Sequence, residues 1–213
     1  MYGFILGYYR FSVWTLRLAY VNFCWILFTL LGLVLFGFMP ATAAMFSIVR
    51  KWIEGNEDIP VFTTFLKHFK KNFIETNGLG LVIFLIGYLL LTEFQILRIQ
   101  DSIVYYAVSI AVMATLMLYV VMVVYFFPVF VHFKLKWVDY LKWPFIIGIV
   151  HPILTLVTCV GLGLLYYVTW ITIPALLFFF GGSVTALLVM LAISQTFSKY
   201  ERTHTTSNVN QAM

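Results

Sequence analysis

Two side chains in this sequence could do chemistry inside an apolar environment, Glu93 and His151. Glu93 lies near the end of a hydrophobic run. It could be solvated or paired with Arg98, or it could bind a cation or substrate in an outward-facing cavity. His151 precedes Pro152, which has no backbone N–H and therefore frees a carbonyl one turn earlier, near Gly148. The imidazole is then either a hydrogen-bonding group across a helix bundle or a substrate or proton site.

Other polar groups could join these two. Thr155 follows His151 by one helical turn on the same face. Pro40 favours the first turn of a helix, so we expect a helix that begins at Pro40 inside the membrane. Its unpaired N–H groups would attract an anion or a carbonyl, although a tight hairpin buried by its neighbours would need no ligand. The candidate buried polar site comprises Pro40, Ala41, Thr42, Glu93, His151 and Thr155.

Enzyme signatures are absent from the chain. It has no phosphate-binding glycine loop, no Ser or Cys nucleophile with a paired base, and four histidines without ligand spacing. The net charge of +5 fits loop asymmetry better than a nucleic-acid groove. We therefore expect a non-enzymatic protein with no catalytic residue, no metal, no cofactor and no nucleic-acid partner.

These residues must be positioned by membrane helices. Of the 213 residues, 63% are hydrophobic and only 10% are charged, which excludes an ordinary soluble domain. Long runs without charge are each long enough for one or two helical crossings of about 20 residues. The sequence predicts a single all-α transmembrane domain over residues 1–202, with five full helices plus the short helix starting at Pro40. The predicted segments are 18–38, 40–53 (short), 78–97, 102–132, 143–166 and 172–198, with a disordered polar tail at 203–213.

Some polar and small residues within these spans predict helix contacts. Asn22 is expected to make an interhelical hydrogen bond, or otherwise to bind a substrate. Gly181, Gly182 and Ser183 are expected to permit close packing in the last span.

An amphipathic helix is predicted over residues 60–75, before the third span. Aromatic side chains recur there at helical spacing, and lysines occupy the other side. Such a helix suits a membrane surface, where rings enter the acyl boundary and ammonium groups meet anionic headgroups; a docking face for a partner protein is the alternative. This candidate partner or lipid-surface face comprises Phe62, Phe65, Lys67, Phe69, Lys70, Lys71 and Phe73.

The distribution of basic residues indicates the orientation. If the Pro40 helix returns across the membrane, 12 of the 13 Lys and Arg residues lie on one side, and only Arg98 lies on the other. If that helix does not cross, the division is 10 against 3 and the N-terminus lies outside. The count favours a multi-pass plasma-membrane protein with a cytoplasmic C-terminus and a cytoplasmic N-terminus.

Several motifs resemble the YesL-like family of bacterial membrane proteins of unknown function. Phe127-Pro128, followed by the segment 134–141, looks like that family's later cytoplasmic loop. The more specific elements are Met39-Pro40-Ala41-Thr42-Ala43-Ala44-Met45, Arg50-Lys51-Trp52 and Phe69-Lys70-Lys71-Asn72-Phe73.

The resemblance implies an accessory role. Members of this family are often encoded beside carbohydrate uptake transporters and two-component sensors. We therefore expect a non-enzymatic accessory or regulatory partner of a carbohydrate uptake system, in contact with membrane lipid and with a transporter or sensor protein. The alternative is a small-solute or ion transporter or channel that acts as an oligomer. A membrane enzyme that acts on lipid or cell-wall intermediates is the third and least supported hypothesis.

Overall fold

The computed structural model describes the backbone of residues 2–98 and 102–211, and the side chains of residues 7–98 and 102–194. Over this part of the chain the fold is all-helical, as predicted, and five of the helices are long and apolar enough to cross a membrane. The helices are α1 (Tyr2–Leu31), α2 (Leu35–Ile53), α3 (Val61–Arg98), α4 (Ile103–His132), α5 (Asp139–Val150), α6 (Pro152–Thr172) and α7 (Ala175–Gln211).

A tight hairpin joins α1 to α2. The Trp14 and Trp52 rings lie 5.9 Å apart, and the Trp25 indole N–H donates to the Thr42 hydroxyl at 3.0 Å, so α2 runs back along α1. Its 19 residues rise about 28 Å. The predicted hairpin is therefore present, with a return helix longer than the 14 residues expected.

The break between these helices lies at residues 32–34, so the prediction that a helix begins at Pro40 was wrong. Leu33 (φ 58°) and Val34 (φ 64°) turn the chain in the left-handed region, a conformation that is unfavourable for a β-branched residue. Glycine permits the close approach beside this turn, because a Cβ on Gly37 would lie 2.4 Å from the Thr29 carbonyl oxygen. Contact between the two helices, rather than the proline, decides where the chain reverses.

Pro40 lies inside α2 and leaves a carbonyl without its usual helical donor. A proline at position i cannot donate to the carbonyl at i−4, which here belongs to Phe36. The Asn77 side-chain amide donates to that Phe36 oxygen at 2.9 Å. A side chain from α3 thus makes the internal proline tolerable.

One continuous helix, α3, replaces two predicted elements. The amphipathic helix 60–75 and the span 78–97 were predicted separately, but α3 runs from Val61 to Arg98 without interruption. A new span was expected to start at residue 78, but the helix continues through this point. The Asn77 side chain donates to the Phe73 carbonyl one turn back and to the Phe36 carbonyl on α2.

The predicted span 143–166 is divided into α5 and α6 at His151. The His151 backbone is non-helical (φ −120°, ψ 64°), because a residue before proline is disfavoured in the α region.

The last helix begins at Ala175. The tail predicted to be disordered is helical as far as Gln211, because residues 203–211 contain no proline or glycine to end a helix that propagates from α7; residues 212 and 213 lie outside the described residues.

The core of the bundle is α2. Residues 40–49 are all buried, and α2 packs against α1, α3, α4 and α7. Its small side chains allow this close packing on every side. The described part of α6 is more exposed and contacts α5 and α7.

Candidate functional site

The start of the predicted Pro40 helix is a packed helix interior. Ala41 is fully buried, and Thr42 is 7% exposed. The Thr42 hydroxyl accepts from Trp25 and donates to the Phe38 carbonyl at 2.7 Å. Because α2 begins five residues before Pro40, the amides that follow the proline lie within the helix rather than at its end. The anion-attracting helix start proposed for Pro40, Ala41 and Thr42 is therefore not formed.

Thr155 lies at the centre of a second polar network, where α5 ends and α6 begins. Its hydroxyl accepts from the Tyr125 hydroxyl at 3.1 Å and lies within donating distance of the Gly148 carbonyl (3.1 Å) and the His151 carbonyl (3.0 Å). The predicted release of a carbonyl near Gly148 is thus confirmed, and the chain itself supplies the donor. The observed hydrogen bonds make this network a structural cross-link between α4 and the break in the helix.

The candidate polar residues do not converge. Glu93 is exposed on α3, whereas His151 lies at the break between α5 and α6 and Thr42 is buried inside α2. The hydrogen bonds of Thr42 and those of Thr155 form two separate networks. The structure therefore brings His151 and Thr155 together and leaves Pro40 and Glu93 apart from them.

Asn22 cross-links α1 to α7. Its amide donates to the Phe178 carbonyl at 2.8 Å, and its side-chain oxygen accepts from the Ser183 backbone N–H at 3.1 Å. A Cβ on Gly182 would lie 3.0 Å from the same Asn22 oxygen. The prediction of an interhelical bond, and of glycine-mediated packing in the last span, is confirmed.

Most aromatic residues of the amphipathic segment face the protein. The Phe65 ring is fully buried and stacks on Phe28 at 5.0 Å, and Phe69 lies 5.2 Å from the same ring. Phe73 packs against Phe69 at 5.6 Å, whereas Phe62 is 44% exposed. The aromatic residues were expected to meet lipid or a partner, but Phe65 and Phe69 are used to attach this segment to α1.

The opposite side of the segment is an exposed basic face. Lys67, Lys70, Lys71 and Ile74 occur at spacings of three and four residues, and all four are exposed, Ile74 to 83%.

The loop between α4 and α5 extends this basic face. The Trp137 ring lies on the backbone of α3, where a Cβ on Gly78 would come within 2.5 Å of it, and the ring stays 50% exposed. The Tyr140 hydroxyl fixes the loop, donating to the Phe133 carbonyl and accepting from the Leu135 N–H, each at 3.2 Å. We define the basic face by its exposed members, Lys67, Lys70, Lys71, Ile74, Lys134, Lys136 and Trp137.

Arg50 connects the ends of two helices near this face. Its guanidinium donates to the carbonyls of Val131 and His132 at the C-terminus of α4 and pairs with Glu54 at 2.6 Å. A cation at a helix C-terminus satisfies free carbonyls and the helix dipole. The roles of Arg50 and Asn77 were not predicted from the sequence. The only available signals were a basic residue in the last turn of α2 and an asparagine one helix away from an internal proline.

Comparison with known proteins identifies relatives over most of the chain. The family model described as "Protein of unknown function, DUF624" matches residues 18–94. From Bacillus subtilis (strain 168), the uncharacterized protein YesL is 38% identical over 197 residues, which cover 92% of each chain. YesV is 33% identical over 88% of this chain and 90% of its own, and YteU is 34% identical over 91% and 86%. No solved structure matches the chain.

Proposed function

This chain belongs to the YesL-like family, DUF624, and we propose that it is a non-enzymatic membrane protein that works by binding a partner protein at the basic face. The partner that we propose is a transporter or sensor component of a carbohydrate uptake system. The genomic association implied by the family resemblance supports this choice. The observation that carries the proposal is the position of Trp137 against α3, which joins two basic segments into one surface.

The chemistry of the basic face defines the partner segment. The basic face combines exposed lysines with the exposed side chains of Ile74 and Trp137. Exposed ion pairs contribute only about 0.2–1 kcal/mol each, so they steer an encounter rather than hold it. A half-exposed tryptophan is a typical anchor of an interface. The complementary segment would carry Asp and Glu residues on either side of an apolar side chain.

The orientation that we propose places this face in the cytoplasm. Because α2 returns beside α1, the N-terminus and the loop after Ile53 share one side. With that return, 12 of the 13 Lys and Arg residues lie together, and such a distribution is typical of the cytoplasmic side of a plasma membrane. Reporter tags at both ends should therefore be cytoplasmic, and an extracytoplasmic N-terminal tag would contradict this topology.

Site-specific photocrosslinking in cells tests the partner. A photoreactive amino acid at Lys71 should capture a membrane component of a carbohydrate importer or sensor, whereas the same probe at Leu156, on the exposed side of α6, should capture lipid. Lys70→Glu should weaken the Lys71 crosslink, and reversal of the acidic residues in the captured protein should restore it. Capture of lipid alone at Lys71, or a crosslink that is insensitive to charge, would refute the proposal.

Transport by an oligomer is the second candidate, and the helix break at His151 is the observation that favours it. Broken helices line substrate sites in many transporters. Here, however, the hydroxyl of Thr155 lies within hydrogen-bonding distance of the carbonyls of Gly148 and His151, which makes a ligand unnecessary for their satisfaction. Uptake of labelled sugars or ions by reconstituted vesicles, abolished by His151→Ala, would favour this candidate over partner binding.

A further inference from the structure

A cavity of about 420 Å³ lies between the first half of α1 and the loop that follows α2. Its volume is in the range of small-ligand sites. It is separate from the basic face and from the polar networks of Thr42 and Thr155. The lining residues are Tyr9, Arg10, Val13, Trp14, Arg17 and Glu57.

The two arginines of the cavity differ in what they contact. The Arg17 guanidinium pairs with the Glu57 carboxylate and lies 3.5 Å from an oxygen of Asp58. Arg10 is exposed, and no acidic side chain among the described residues forms an ion pair with it. Arg10 is therefore the guanidinium available to an added anion, while Arg17 holds the wall of the cavity in place.

The residues around the cavity are of the types found where a membrane meets water. The Asp58 side chain on one side is fully exposed, as a charge in water should be. On the other side, the Trp14 ring packs edge-on against the buried Trp52 in the helix bundle. Tyr9, 66% exposed, and Trp14 are the residue types that concentrate at the headgroup level of a bilayer.

We propose that this cavity binds the headgroup of a phosphoglyceride. Arg10 binds the phosphate through parallel N–H donors, an arrangement that guanidinium geometry favours. The Tyr9 hydroxyl is a second donor, and Val13 meets the glycerol and the first acyl carbons. The Glu57 carboxylate selects a singly charged phosphodiester whose ethanolamine or glycerol group can donate to it, and it disfavours free phosphate.

Native mass spectrometry of the detergent-purified chain tests this inference. Dioleoyl phosphatidylglycerol and dioleoyl phosphatidylethanolamine are titrated separately, with dioleoylglycerol and inorganic phosphate as the comparison ligands. We expect one phospholipid to bind more tightly than those that follow. Arg10→Gln should weaken that first binding event about tenfold, the effect of losing one charge-assisted hydrogen-bonding group.

Matched variants distinguish a specific headgroup site from non-specific electrostatic attraction between the protein and lipid. Lys136→Gln removes the same charge from the basic face and should change the first binding event less than about twofold, because exposed charges are screened. Arg10→Lys should lie between wild type and Arg10→Gln, since it keeps the charge and loses the paired geometry. Equal weakening by Arg10→Gln and Lys136→Gln, equally tight dioleoylglycerol, or displacement of the lipid by millimolar phosphate would overturn the proposal.

Discussion

The bond network of Asn22 gives the sharpest test of how this bundle is held together. Asn22→Ala removes two interhelical bonds to the α7 backbone and leaves the Phe178 carbonyl and the Ser183 N–H without these partners. Interhelical hydrogen bonds in membranes contribute about 0.6–1.7 kcal/mol each, so the free energy of unfolding should fall by about 1–3 kcal/mol. Unfolding by sodium dodecyl sulfate in mixed micelles, followed by tryptophan fluorescence, measures this change.

A double-mutant cycle with Gly182 tests the geometry itself. In the wild-type background, Gly182→Ala places a Cβ 3.0 Å from the Asn22 oxygen and 3.3 Å from the Met45 methyl, and it should cost about 1–2 kcal/mol. After Asn22→Ala the closer contact is gone, and the same change should be nearly neutral. The coupling free energy should therefore reach about 1 kcal/mol.

Gly163→Ala is the matched control, because its Cβ would meet no atom within 4 Å. It should be neutral or slightly stabilising in both backgrounds. If Gly182→Ala costs the same free energy of unfolding with and without Asn22, the two residues are not in contact. A loss below about 0.5 kcal/mol for Asn22→Ala would show that its hydrogen bonds do not hold α7.

Three further changes probe the hairpin and the helix break; the first two are measured by the same unfolding assay and the third by the quality of the purified protein. Asn77→Leu should lower the free energy of unfolding by about 1–2 kcal/mol, because the Phe36 carbonyl released by the internal proline loses its donor; an unchanged value would mean that the proline needs no compensation. Thr155→Val keeps the side-chain volume and removes the hydroxyl that hydrogen-bonds the carbonyls at the helix break, so the free energy of unfolding should fall by about 1–2 kcal/mol. An unchanged value would show that another group can donate to these carbonyls. Gly37→Ala should prevent a monodisperse preparation, because its Cβ would lie 2.4 Å from a carbonyl oxygen, whereas Gly161→Ala, in open space, should be tolerated; equal behaviour of these two variants would refute the close approach of α1 and α2.

Composition and charge spacing were sufficient to predict the class of fold. Charge-free runs indicate helices that can cross a bilayer, and the described residues contain five such helices. The C-terminal end of α2 was also predictable, because Arg50, Lys51 and Glu54 mark its exit into water. These features depend on local hydrophobicity, which a sequence states directly.

Helix boundaries inside the membrane were not predictable in the same way. Pro40 carries the usual signal of a helix start, yet Asn77, 37 positions later, supplies the donor that lets α2 continue through it. Conversely, Leu33 and Val34 carry no turn signal, and the chain reverses there because α1 and α2 pack closely at Gly37. Asn77 is distant from Pro40 in the sequence, so a local pattern around the proline cannot reveal it.

The basic face was likewise predictable only in part. Helical spacing correctly separated the lysines from the aromatic residues, but it could not tell whether the rings would meet lipid or protein. Phe28 decides that question by stacking with Phe65, and it lies in another helix. Trp137 became part of the surface only because Gly78 leaves room for its ring.

The short turn at residues 32–34 has a consequence for how the chain enters the bilayer during synthesis. On its own, α2 is shorter and less apolar than the five candidate spans. It also contains an internal proline and a carbonyl whose hydrogen-bond donor comes from α3. Insertion of α2 alone into the hydrocarbon during synthesis would therefore be only weakly favourable in free energy. Tethered to α1 by three residues, it must partition together with that helix, and its partitioning is complete only when α3 emerges and covers it.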